Sequence, residues 1–172
     1  MTAMKWNTKN LALCAVLTAL ALGLSALENL IPVNLLIPLP GVKLGLANIV
    51  TVFALYELGA FPALTILIAR CFLGGLFAGN LNALLFSLMG GLFSLLVMIL
   101  LKGLPRLSLY GISIGGAAAH NIGQMAVAIL TLGSTMILGY LPFLLIISLF
   151  TGALTGFIAS LFFRATKNIQ FG

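Results

Sequence analysis

The chain has two carboxylate side chains, Glu28 and Glu57, and no aspartate among its 172 residues. Together with eight lysines and arginines they make charged residues 6% of the chain, against 62% hydrophobic. A soluble domain carries about 25% charged residues. So few charges cannot cover a water-facing surface of this size, and a disordered chain needs the opposite composition. The chain therefore reads as an all-α integral membrane protein with lipid as its main solvent. The scarcity of acids also removes function classes. Prenyl synthases of the usual kind, polymerases and most Mg²⁺-dependent phosphate chemistry hold their metal on clustered carboxylates, and no such cluster can be assembled here. No G-x-x-x-x-G-K-[ST] run occurs, so the chain has no phosphate loop with which to hydrolyse ATP. Cys14 and Cys71 lie in apolar segments and read as small buried hydrophobes, not as metal ligands or a disulfide framework. No cofactor, no metal and no catalytic residue is expected, and the protein reads as a non-enzyme.

A spanning helix needs ~20 mainly apolar residues. Six candidate spans are read, at roughly 11–31, 44–57, 60–78, 82–101, 109–132 and 138–163, in a single membrane domain covering 1–172. Runs such as 92–101 do not alternate, which excludes a membrane β-barrel. The second span is short, and a re-entrant pair over 44–78 stands as its alternative. With six crossings, Lys5, Lys9, Lys102, Arg106, Arg164 and Lys167 share one side and Lys43 alone takes the other. That is the positive-inside pattern of a multi-pass cell-membrane protein with both termini cytoplasmic. Orientation explains the net charge of +6, and no nucleic-acid partner is implied. A cleavable signal sequence over the first apolar run is the less favoured reading, since five further spans follow.

Between the first two spans, 32–43 holds three prolines and a glycine and cannot be a regular helix. It is also apolar, so it is expected to fold back as a lid over a cavity on the outer face. Polar groups inside the spans point to the same place, because ionisable residues at mid-bilayer cost about 2.5–3.5 kcal/mol on insertion scales and turn towards an interior or cavity. Arg70 falls near the middle of the third span. On the fifth, His120 and Gln124 are one turn apart, with Asn121 about 100° around the helix. Asn48 lies near the outer end of the second span, and Asn80 at the outer turn between the third and fourth. With Lys43, these residues are the candidate binding site, and their cationic and amide character favours a small molecule with an anionic or carbonyl-rich part. Ala15, Ala19 and Gly23 form a small-residue stripe on the first span, the candidate surface for a partner helix.

The runs Pro40-Gly41-Val42-Lys43-Leu44-Gly45-Leu46-Ala47-Asn48 and Ala119-His120-Asn121-Ile122-Gly123-Gln124, with Arg70, Gly79-Asn80 and Gly90-Gly91, resemble the bacterial membrane proteins called the Gx transporter family, also labelled heptaprenyl diphosphate synthase component I. The resemblance implies kinship with the substrate-binding S components of energy-coupling factor transporters. Those are six-helix proteins that bind a vitamin-like ligand near the outer face, under the loop between the first two helices. They dock through small residues of the first helix onto a transmembrane coupling subunit and an ATPase pair. On that reading the chain takes part in uptake of a vitamin- or isoprenoid/quinone-related molecule. The alternative is a non-catalytic membrane subunit of a polyprenyl diphosphate synthase or quinone-biosynthesis complex.

Overall fold

A computed structural model describes residues 8–28, 30 and 45–166. Lys43, Asn29 and the 32–43 loop fall outside the described residues, as do Lys5 and Lys167. Among the described residues there are six α-helices and no strand. They are α1 (Thr8–Glu28), α2 (Asn48–Glu57), α3 (Ala60–Ala78), α4 (Leu81–Lys102), α5 (Leu109–Leu132) and α6 (Leu141–Thr166), with a 3-10 helix over Thr135–Tyr140 leading into α6. Side-chain caps start three of these elements. Asn80 accepts from the Ala83 N–H, Ser108 from Gly111 and Ser134 from Met136, which satisfies donors that a helix start leaves unpaired.

Four stretches are long and apolar enough to cross a membrane: α1, α3, α4 and Thr135–Thr166. The protein is therefore a membrane protein. The six crossings expected from the sequence go further than this. At 24 residues α5 has the length, but His120, Asn121 and Gln124 dilute its apolar character. The second expected span contains a helix of only ten residues, about 15 Å long and half the thickness of a ~30 Å hydrocarbon core.

The burial pattern inverts that of a protein folded in water. Leu76, Phe77, Leu130 and Phe150 are all more than 70% exposed, while Asn48, Arg70, His120 and Gln124 are buried. Lipid solvates the former at no cost, and the interior must satisfy the latter.

The short α2 runs through the centre. Every residue from Asn48 to Leu55 is buried, enclosed by α1, α3, α4 and α6. Phe53 packs against Phe162 and Phe163 with ring centroids 6.0 and 5.3 Å apart. Both ends of α2 carry a charge from another helix. Lys102 Nζ donates to the Leu55 carbonyl at 2.8 Å and lies 4.5 Å above the Tyr56 ring. A cation there suits the negative end of the helix dipole. The chain then turns into α3 through Leu58 and Gly59, whose φ of +98° favours glycine.

On the other side, α4, α5 and α6 are drawn together by glycines. A methyl group at Gly123 would come within 2.7 Å of the Met89 carbonyl oxygen of α4, and one at Gly152 within 2.5 Å of Ile114 Cα of α5. Gly152 and Gly156, four residues apart on α6, thus serve packing within the chain, with Gly156 set against Tyr110.

Candidate functional site: a buried polar cluster around Arg70

Arg70 lies ten residues after Ala60, the first residue of α3, so about 15 Å along the helix and near mid-span. It is 6% exposed. Its Nη2 donates to Asn48 Oδ1 at 3.3 Å, a long hydrogen bond. Its Nε is buried with no hydrogen-bond partner among the described residues. Asn48 is the first residue of α2, so the guanidinium stands beside the positive end of that helix.

A carboxylate would be the usual partner for such a charge, and the chain has only two. Glu57 is exposed at the far end of α2. Glu28 is buried at 3% exposure, but its oxygens accept from the backbone N–H groups of Gly45 at 2.6 Å and Leu46 at 3.1 Å. Glu28 therefore does not serve as the ion-pair partner of Arg70. The N–H groups entering α2 satisfy the carboxylate, and the described residues contain no ion pair to Arg70.

Glycines let the cluster close. Gly45 has φ +84°, a conformation that favours glycine, and a Cβ there would come 2.9 Å from Asn48 Nδ2 and 3.3 Å from His120 Cδ2. On the opposite side of the imidazole, a Cβ at Gly90 would come 2.8 Å from His120 Cε1 and 3.0 Å from Gln124 Cγ. His120 is therefore clasped between the start of α2 and α4. Gly91, next along, leaves room for Arg70, whose Nη2 would be 3.4 Å from a Cβ there. Ser94 follows one turn on, buried, with its hydroxyl unpartnered among the described residues, as is that of Thr51 one turn along from Asn48.

The structure thus brings together Asn48, Arg70, His120 and Gln124 of the sequence-predicted set. Asn80 is exposed and caps α4, away from the buried cluster. Asn121 is buried but its Nδ2 donates to the Leu144 carbonyl at 2.9 Å, which ties α5 to α6. Lys43 lies outside the described residues. Thr131, Ser148 and Thr155 hydrogen-bond carbonyls of their own helices, a common use of hydroxyls in apolar helices. Ala15, Ala19 and Gly23 are exposed along α1, and Ala19 and Gly23 line a groove that continues over Leu20, Leu24, Ala26, Leu27 and Leu30. Glu28 and Gly45, with the buried hydroxyls of Thr51 and Ser94, are members that the sequence alone did not place in the site. A carboxylate ending one helix and a glycine three residues before the next helix were the available signal.

Among the described residues no group of three or more His, Cys, Asp or Glu could hold a metal ion. What the cluster offers is a fixed positive charge, amide and imidazole groups, and a helix start, all withdrawn from solvent. That set can bind and orient an anion.

The family model described as Heptaprenyl diphosphate synthase component I matches residues 17–162, and the chain belongs to that family. No curated protein and no solved structure matches it.

Proposed function

We propose that this member of the heptaprenyl diphosphate synthase component I family is the substrate-binding membrane component of an uptake transporter, holding the anionic part of a small molecule against Arg70. The observation that carries the reading is the charge state of the site. A guanidinium at mid-span is surrounded by apolar helices, with one long hydrogen bond and no carboxylate partner among the described residues. Leaving a buried charge uncompensated is strongly unfavourable, and a bound anion supplies the compensation. Asn48, His120 and Gln124 add hydrogen-bonding groups to the same site. All six helices cross or enter the cell membrane, and the termini are cytoplasmic. The chain performs no chemistry itself, and a separate ATPase pair with a coupling subunit energises it. The exposed Ala15, Ala19 and Gly23 receive a helix of that subunit, since small residues let backbones approach in lipid.

The family's description favours a second reading, a non-catalytic membrane subunit beside a soluble prenyl diphosphate synthase. Native mass spectrometry of the gently purified protein, with pull-down from native membranes, separates the two. Uptake predicts a retained small anion, lost in Arg70→Ala, together with ATPases in the pull-down. A soluble prenyl synthase in the pull-down and no retained molecule would overturn the transport reading.

A further inference from the structure

The Glu28 carboxylate is one of the few charges inside the bundle, and it stands at the entry to α2 without touching Arg70. Two roles fit such a group. It is either a surrogate for the ligand anion, occupying the positive end of α2 until displaced, or a fixed part of the framework that holds the site in register. Its bonds decide between them. Both oxygens are engaged, at 2.6 and 3.1 Å, by the consecutive N–H groups of Gly45 and Leu46, and the residue is 3% exposed. Displacing it would strand a carboxylate in a low-dielectric interior, which is strongly unfavourable. A framework role needs no displacement.

We infer that Glu28 is the positioning residue of the Arg70 site: by holding the Gly45 and Leu46 N–H groups it fixes the start of α2, and through it sets Asn48 on Arg70 and Gly45 on His120. The path is short and continuous. The Asn48 N–H donates to the Gly45 carbonyl at 2.9 Å and the Ile49 N–H to that of Leu46 at 3.0 Å, so the two residues clasped by Glu28 form the first turn that carries Asn48. Gly45 itself abuts both the Asn48 amide and the His120 ring. Glu28 also neutralises the positive end of α2, and the Arg70 charge is left over for the ligand. The inference rests on the anion-binding reading above.

The test is a binding titration of the full chain in detergent, with inorganic pyrophosphate as the anion probe, on the unmodified protein, Arg70→Ala, Glu28→Gln, Asn48→Ala and the double variant Glu28→Gln/Asn48→Ala. Losing the charge-assisted bonds of Glu28 is expected to weaken pyrophosphate binding about tenfold. Because Glu28 acts in part through Asn48, the double variant should lose less than the sum of the two single losses, a non-additivity that a general loss of stability would not produce. If Glu28→Gln does not fold, Glu28→Asp, which keeps the charge on a shorter arm, carries the test with an expected loss of about threefold. Unchanged or tighter binding in the Glu28 variant, or additive losses in the double variant, overturns this inference while leaving the Arg70 site standing. No saturable binding by the unmodified chain, or binding that survives Arg70→Ala, overturns the anion site and this inference with it.

Discussion

If Arg70 is kept for a ligand and not for the fold, removing it together with its one partner should make the ligand-free protein more stable. Insertion scales put an arginine at the centre of a span at about 2.5–3.5 kcal/mol unfavourable. Its hydrogen bond to Asn48, at 3.3 Å, offsets only about 1–1.5 kcal/mol of this. Arg70→Met alone removes both terms and strands Asn48 Oδ1, a loss of about 1–3 kcal/mol for an orphaned buried acceptor. The single variant should therefore stay within roughly 2 kcal/mol of the parent. Asn48→Leu/Arg70→Met leaves no orphan and should gain about 1–2.5 kcal/mol, a rise in melting temperature of roughly 2–10 °C for a chain of this size. The assay is thermal unfolding in detergent followed by circular dichroism, on protein stripped of ligand, with native mass spectrometry on parallel samples purified gently without stripping. A double variant that is more stable yet retains no small molecule is the expected result. A fall of 5 °C or more in the double variant would refute the reasoning, because Arg70 would then belong to the framework and need no anion.

Other substitutions test the packing that surrounds the site. Gly123→Ala drives a methyl group into the Met89–Gly90 backbone, with 2.7 Å to the Met89 oxygen, and should cost about 3 kcal/mol; Gly23→Ala, with nothing within 4 Å, should change the melting temperature by about 2 °C or less. Equal effects of the two would contradict the close α4–α5 approach. Lys102→Met removes the cation from the Leu55 carbonyl and the Tyr56 face and should lower stability by about 1 kcal/mol. Lys102→Arg should recover most of that loss in the same unfolding assay.

The sequence by itself determined the solvent of this protein and much of its local structure. Two acids and a 62% hydrophobic composition leave lipid as the only medium in which such a surface is stable. The apolar runs mark out α3 and α5, and helical periodicity alone puts His120 and Gln124 on one face with Asn121 turned aside. Partners were another matter. Arg70 and Glu28 are an obvious pair on paper, an arginine and a glutamate inside apolar spans, yet Glu28 meets the backbone of Gly45 and Leu46 while Arg70 meets Asn48. Likewise, α2 could be read as a short crossing, but only its enclosure by α1, α3, α4 and α6 makes it a half-length central helix. Helical repeat fixes which residues share a face, and in water a polar face would also say which way that face points. Lipid removes that second signal, because apolar side chains are equally at home inside and outside the bundle. Which helices face one another, and so which polar groups meet, was decided by close packing at glycines such as Gly90, Gly123 and Gly152.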